Sequence, residues 1–259
     1  MESWLEAVAE IAVGAGKLIK ELAAAGPTVK YKGPVDLVTD ADVKAEEFVV
    51  ERLRRRWPDH AFLAEESGGT VDADYLWAVD PIDGTTNYAH GFPVYAVSIG
   101  LFVEKKPVLG VVYDPNLEEL FAARQGGGAT LNGRPISVST IDNLDRALTA
   151  TGFPYSLRRD PDKIMADFIN MSLVCQGVRR AGAASIDLCA VACGRFDGFW
   201  EVGLKPWDTA AAGLIVSEAG GRLSGYNGEP FDHFVPEMVA SNGRVHEEIL
   251  TVLKGQTAR

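Results

Sequence analysis

Two aspartates and a threonine, Asp80, Asp83 and Thr85, close the stretch Trp77-Ala78-Val79-Asp80-Pro81-Ile82-Asp83-Gly84-Thr85-Thr86-Asn87-Tyr88. The preceding residues, Tyr75 to Val79, have the length and the β-branched or aromatic content of a buried strand. Pairing is expected to stop at Asp80-Pro81, because proline has no N–H to donate. Two carboxylates, the Ile82 carbonyl in a tight turn and the helix-start composition of Asp83-Gly84-Thr85-Thr86 therefore gather where a strand passes into a helix. Oxygen ligands of this kind suit a hard divalent cation such as Mg²⁺, and the N–H groups that open a helix suit a phosphate. The ordinary alternative is that Asp80 caps a turn and Asp83 caps the helix.

Six further acidic residues have the same double reading. Asp40 and Asp42 follow a short apolar strand and open a helix that carries Ala45, Phe48, Val49 and Leu53 on one face, so one of them is expected to be a capping residue. Glu65 and Glu66 end the strand Ala61 to Ala64, and only one can face a site there because neighbouring side chains in extended backbone point opposite ways. Asp208 opens a helix behind Pro206, where capping is the simplest role. Glu201 lies seven residues earlier, in what reads as the connection after the strand Phe196 to Trp200, and an isolated glutamate is ordinarily solvated. Covalent catalysis finds little support: there is no GxSxG, no Cys/His motif, and only His60, His90, His233 and His246, all scattered.

The elements that must position these groups are legible in outline. An amphipathic helix over residues 3 to 24 stops at Gly26-Pro27, and the acidic helix after Thr39 ends in Arg54-Arg55-Arg56, a favourable charge at a helix C-terminus. Strand patterns recur at Val94 to Val103, Pro107 to Tyr113 and Glu119 to Arg124, as in the hairpins of an antiparallel sheet. From about residue 146 strands and helices alternate: Leu148 to Gly152, a helix over 161 to 174 through Ile164, Phe168, Ile169 and Leu173, Val178 to Arg180, a helix over 183 to 193, Phe196 to Trp200, and a helix from Trp207 to Ala219. The expected organisation is an N-terminal antiparallel-sheet α+β half, residues 1–145, packed without a linker on a C-terminal α/β half, residues 146–259.

Composition limits the partners. A chain of 259 residues with 47% hydrophobic and 24% charged residues has globular values and room for a substantial core. The net charge of −11 argues against a nucleic-acid surface and against passive attraction of phosphorylated ligands, so a phosphate site would need local cations. Cys175, Cys189 and Cys193 suggest neither a disulfide framework nor zinc. The N-terminal stretch does not read as a signal peptide, and the longest strongly apolar run, Val94 to Val103, falls short of the roughly 20 residues that span a bilayer. A soluble, cytoplasmic protein is expected.

The motifs are more specific than their composition. Asp80-Pro81-Ile82-Asp83-Gly84-Thr85-Thr86-Asn87 resembles the metal-binding motif of the inositol monophosphatase family of Mg²⁺-dependent phosphomonoesterases, and Glu65-Glu66-Ser67 is similar to that family's Glu-Glu-Ser motif. Trp207-Asp208-Thr209-Ala210-Ala211-Ala212-Gly213 through Glu218-Ala219-Gly220-Gly221 resembles its second conserved motif, and the likeness runs from Val35-Asp36-Leu37-Val38-Thr39 to Gly221. The resemblance implies a layered α/β/α/β/α sandwich in which Glu65, Asp80 and the carbonyl of Ile82 hold one Mg²⁺ and Asp80, Asp83 and Asp208 hold a second. Asp42 and Thr85 then match the pair that activates water, with Glu65 alongside as a catalytic ligand. Gly84 and Thr85 match the phosphate donors, while Gly182, Ala184 and Glu201 match substrate contacts. It implies too a small phosphorylated polyol or sugar as substrate, a homodimer and inhibition by Li⁺. Thr85-Thr86-Asn87 and His90-Gly91-Phe92-Pro93 resemble the inositol monophosphatase branch rather than fructose-1,6-bisphosphatase or a broad sugar phosphatase. Tyr88 where phenylalanine is usual and Lys205-Pro206 before Trp207 are departures, and either Lys30 or Lys32 is expected to reach the site. A rival of another class is a binding or regulatory protein that keeps this fold without turnover.

Overall fold

The computed structural model describes residues 2–26, 28–31 and 37–256. In chain order the first elements are α1 (Glu2–Ala25), β1 (Val29–Tyr31), β2 (Leu37–Thr39), α2 (Asp40–Arg56), β3 (Ala61–Ala64), β4 (Gly68–Gly69), β5 (Tyr75–Asp83), α3 (Thr85–Ala89), β6 (Ala96–Val103), β7 (Lys106–Asp114), β8 (Glu119–Arg124), β9 (Ala129–Leu131) and β10 (Arg134–Pro135). Strands β3 to β10 form an eight-stranded sheet in the order β10-β9-β8-β7-β6-β5-β3-β4, antiparallel except for the β3–β5 pair. That one parallel pair sends β3 and β5 to the same end of the sheet, so Glu65 and Asp80 emerge side by side.

The remaining elements are β11 (Leu148–Thr151), α4 (Asp162–Ser172), β12 (Gly177–Arg179), α5 (Ala184–Ala192), β13 (Gly198–Val202), α6 (Pro206–Glu218), β14 (Arg222–Ser224), β15 (Glu237–Ser241) and α7 (His246–Leu253). Their strands make a five-stranded mixed sheet in the order β12-β11-β13-β15-β14. Helices α1 and α2 cover the outer face of the large sheet, α5 and α6 lie between the sheets, and α4 and α7 cover the outer face of the small one. This is the α-β-α-β-α sandwich.

The packing follows from the side-chain patterns. The buried stripe Val8, Ile11, Ala12, Ala15 and Ile19 of α1 meets Ala45, Val49 and Leu53 of α2 over Trp77, Ile99, Leu101 and Leu109 of the sheet. Burying each large apolar side chain of this kind contributes about 1.5–3 kcal/mol. Helix α6 is buried from Thr209 to Val216 with no polar face, as a helix sandwiched between two sheets must be. It comes in close because the strands beneath it carry glycines. A Cβ on Gly100 would lie 2.6 Å from the Cβ of Ala210, and one on Gly110 would lie 2.6 Å from the Ala211 carbonyl oxygen.

Several expectations need correction. Strand β5 does not end at Asp80-Pro81: pairing with β6 continues past an irregularity to Asp83↔Ala96, so the missing proline N–H is absorbed by a bulge. The α2 cap is Thr39, whose hydroxyl accepts the Ala41 and Asp42 N–H groups. Asp42 completes the capping box from the third helical position, and Asp40 pairs with Lys44 instead. Helix α4 buries Asp167 and Met171, leaving Ile169 52% and Leu173 78% exposed. The strand expected at Phe196 to Trp200 spans Gly198–Val202 and thus includes Glu201. Lys32, and Val35 and Asp36 at the start of the stretch that resembles the family, lie outside the described residues. Lys30 is exposed on β1 and does not line the cleft described next.

Candidate active site

Both sheets open onto one cleft of about 430 Å³, and its walls include Glu65, Asp80, Ile82, Asp83, Gly84, Thr85, Gly182, Ala184, Glu201 and Asp208. Every metal or substrate position expected from the sequence is therefore brought to one place, from segments up to 143 residues apart (Glu65 to Asp208). Asp42 stands just behind the wall, fully buried, in contact with Thr85.

Each carboxylate is delivered by a different element. Glu65 follows β3, and its N–H donates to the Val79 carbonyl at 3.1 Å, which fixes it beside Asp80. Asp80 Oδ1 accepts the Ile82 N–H at 3.0 Å, holding the turn around Pro81. Asp80 also pairs in register with Ser98 of β6, whose hydroxyl donates to the Trp207 carbonyl at 3.1 Å. The start of α6, and with it Asp208, is thereby tied to the strand pair that carries Asp80. Asp208 is at the third position of α6, where its Oδ2 accepts the Lys205 N–H at 2.7 Å.

Asp83 crosses the cleft. Its Oδ1 accepts the Ala184 N–H at 3.2 Å, and its Oδ2 accepts the Ser185 N–H at 2.6 Å and the Ser185 hydroxyl at 2.5 Å, all at the start of α5. A helix N-terminus is a favourable partner for a carboxylate. Asp83 therefore caps α5 rather than α3, whose leading residue is Gly84 in the left-handed region with φ 96°. A side chain there would also lie 2.8 Å from the Val94 carbonyl, which excludes any residue but glycine at the turn.

On the other side of the turn, Thr85 Oγ1 lies 3.0 Å from Asp42 Oδ1 and 3.1 Å from the Ile82 carbonyl. Asp42 Oδ2 accepts the Thr39 N–H at 2.7 Å and the Thr39 hydroxyl at 2.6 Å. Burial pushes the Asp42 carboxyl above its ordinary range, against the pull of those hydrogen bonds.

The electrostatics of the cleft are those of crowded negative charge. Burial first, then Glu65, Asp83 and Asp208, hold the Asp80 carboxyl well above the usual carboxylate range, and Glu65 is close enough to share a hydrogen bond with it. Asp208 is raised by burial and by Asp83. Glu201 is pushed up to about 8 by burial, then by Asp187 and Asp83, with Arg180 opposing. Among the described residues no Lys or Arg forms an ion pair with Asp80, Asp83 or Asp208. Uncompensated carboxylates this enclosed fit a site built for a hard cation, since buried charge is otherwise costly. Among those residues, no three His, Cys, Asp or Glu side chains already enclose an ion-sized space. The reason lies in the contacts above: Asp83 is turned to α5 and Asp208 to Lys205.

The cleft includes groups the sequence reading passed over. Asp187, on the first turn of α5, is buried with an Oδ1 that meets no donor, and its carboxyl is raised well above the usual range by burial. Arg180, also passed over, lines the cleft beside Lys205, which the sequence marks as a departure before Trp207. In sequence Asp187 reads as an ordinary acidic residue near a helix start, and no spacing rule distinguishes it.

Comparison with known proteins agrees with the geometry. The description "Inositol monophosphatase family" belongs to the family profile that matches residues 1–258. An inositol-1-monophosphatase from Synechocystis is 48% identical over 256 residues, 98% of this chain and 89% of that protein. A protein named Nus factor SuhB from Pseudomonas aeruginosa is 44% identical over 236 residues, covering 88% of this chain and 86% of its own. The solved structure of an inositol monophosphatase from Anabaena (Nostoc) superimposes with a TM-score of 0.90 at 41% identity, covering 99% of this chain and 97% of that one.

Proposed function

The chain belongs to the inositol monophosphatase family and is a phosphoric monoester hydrolase, and from that premise we propose that it hydrolyses a small phosphorylated polyol, inositol monophosphate first, with Mg²⁺. The observation that carries this reading is the convergence of Glu65, Asp80, Asp83 and Asp208 on one cleft, beside the Asp42–Thr85 pair, with no Lys or Arg in an ion pair with Asp80, Asp83 or Asp208 among the described residues. The 48% identity to a protein named inositol-1-monophosphatase supports the substrate. Glu65, Asp80 and the Ile82 carbonyl would hold one Mg²⁺, and Asp80, Asp83 and Asp208 a second. Bound there, the ions supply a lowered pKa for water and charge stabilisation for both oxygens of an in-line displacement.

The chain's own residues do the rest. Thr85 Oγ1 orients the attacking water and takes a proton from it as its own hydroxyl proton passes to Asp42, which the Thr39 contacts hold in place. The N–H groups of Gly84 and Thr85 receive the phosphoryl oxygens. Glu201 accepts hydrogen bonds from hydroxyls of the leaving alcohol, between Gly182 and Ala184 on one wall and β13 on the other. In this scheme residues 1–145 bring most metal ligands and residues 146–259 bring Asp208 and the substrate contacts.

A homodimer is part of the proposal, and the exposed Ile169 and Leu173 on α4 support an apolar contact face. A second reading, a role through binding, draws on the relative named as a Nus factor; the intact acidic set favours turnover. Release of inorganic phosphate from inositol monophosphate, fructose 1,6-bisphosphate and an aryl phosphate, each with and without Mg²⁺, tests the assignment. Inositol monophosphate should lead, and absence of Mg²⁺-dependent turnover on all three would return the chain to the binding reading.

A further inference from the structure

The segment that carries Glu65 is a hairpin turn between two short strands. Glu65, Glu66 and Ser67 join β3 to β4, and β4 is only Gly68–Gly69, which has no side chain to anchor the far end of the turn. The near end is fixed, because the Glu65 N–H donates to Val79. The far end is fixed from another element. Glu46, buried on α2 with 4% of its surface exposed, accepts the Glu66 N–H on Oε2 at 2.7 Å and the Ser67 N–H on Oε1 at 2.8 Å. Among the described residues it forms no ion pair with a Lys or Arg.

We propose that Glu46 is a positioning residue for the metal site, its carboxylate clamping both N–H groups that follow Glu65 so that the Glu65 side chain is held toward Asp80. The inference rests on Glu65 being a metal ligand. Glu46 stands four residues after Asp42, one helical turn along α2, and both side chains are buried. One rigid helix therefore sets the Glu65 turn through Glu46 and the Thr85 hydroxyl through Asp42. Only an ionised carboxylate offers two acceptor oxygens to two N–H groups. An amide in the same place presents one acceptor and one donor, and the donor faces an N–H. Partners behind a ligand typically alter metal affinity roughly ten- to a hundredfold when removed.

The test is a Mg²⁺ titration of the metal-free protein without substrate, followed by the rise in Tm, on wild type, Glu46→Gln, Glu46→Asp and Glu47→Gln. Glu47, exposed on the same helix, is the control. Glu46→Gln should raise the half-saturating Mg²⁺ concentration roughly ten- to a hundredfold, and the Glu66 and Ser67 amides should exchange faster with solvent. Glu47→Gln should match wild type, and kcat of Glu46→Gln should recover to within a few fold once Mg²⁺ saturates. A lower Tm without Mg²⁺ but an unchanged half-saturation would make Glu46 merely structural and overturn the proposal. If Glu46→Gln does not fold, Glu46→Asp decides: it keeps the charge but withdraws it by one methylene, and wild-type half-saturation there would be equally contrary. Wild type that shows no response to Mg²⁺ would overturn the metal reading itself, and the proposal with it.

Discussion

Thr85 Oγ1 stands 3.0 Å from Asp42 Oδ1, across 43 residues of sequence, with both side chains buried. The two come from the first turns of different helices, and neither has a cationic partner among the described residues. A buried hydroxyl held against a buried carboxylate is a route for one proton. Thr85→Ala and Asp42→Asn should each lower kcat about 10²- to 10⁴-fold with little change in KM. The double variant should lose no more than the worse single one, measured as initial rates on an aryl phosphate; independent, multiplying losses would show that the residues do not act as a unit.

Glu201 reaches the cleft from within β13, where its neighbour across the wall is Gly152. A Cβ on Gly152 would fall 2.1 Å from a Glu201 carboxylate oxygen. Measured above about pH 8, where its carboxyl is ionised, Glu201→Gln should penalise a hydroxyl-rich phosphate ester over an aryl phosphate by about 1.5–3 kcal/mol, roughly ten- to a hundredfold in kcat/KM. Gly152→Ala, which displaces the carboxylate without altering its charge, should shift the ratio in the same direction. Equal losses on both esters would move Glu201 into the metal shell, and no loss on either would remove it from the site.

The acidic cleft has a cost in the metal-free protein. Asp80, Asp83, Asp208 and Glu201 all have carboxyls raised in the folded state, so their neutral forms are favoured there and their ionisation opposes folding. As pH falls from about 8, the value for Glu201, toward the ordinary carboxylate range, the fold binds more protons than the unfolded chain and gains stability from this group. His233 and His246 act oppositely, each lowered from 6.5 to about 4, so their contribution is complete above 6.5 and fades below it. The metal-free protein should gain Tm between about pH 8 and 6.5, and Mg²⁺ should flatten the gain. Thermal scans across that window check the sign.

The seating of α6 is equally open to test. With Gly110 packed on the Ala211 backbone, Gly110→Val should overpack the layer and destabilise by about 1–3 kcal/mol in urea unfolding. Because α6 carries Asp208, the half-saturating Mg²⁺ concentration should rise as well.

The motif chemistry was readable because it is local. Asp80, Asp83 and Thr85 fall within six residues, and the abrupt change from apolar strand to polar turn marks them. The strand and helix rhythm also placed β3 and β8 to the residue, because their ends coincide with charged or glycine-rich turns. The proline at 81 misled by one step: a bulge lets β5 run on, a tertiary accommodation that local turn rules do not contain. Periodicity failed on α4, whose apolar Ile169 and Leu173 face outward while Asp167 turns in to Lys163. β14, β15 and α7 had no clear signature, since short strands draw their stability from neighbours rather than from their own pattern. Asp187 and Glu46 became visible only once burial and hydrogen-bond partners were known.

Asp80 is the residue on which the account turns, a buried carboxylate assigned to both metal positions. Hydrolysis of inositol monophosphate by wild type and Asp80→Asn, compared at saturating Mg²⁺ with the fold checked by circular dichroism, is the most direct measurement. The predicted result is Mg²⁺-dependent turnover in wild type, abolished by chelation and restored by added Mg²⁺. Asp80→Asn should keep the wild-type fold, have a higher Tm without metal, and show no measurable turnover. Near wild-type turnover in Asp80→Asn at saturating Mg²⁺ would contradict the bridging assignment and the two-metal reading built on it.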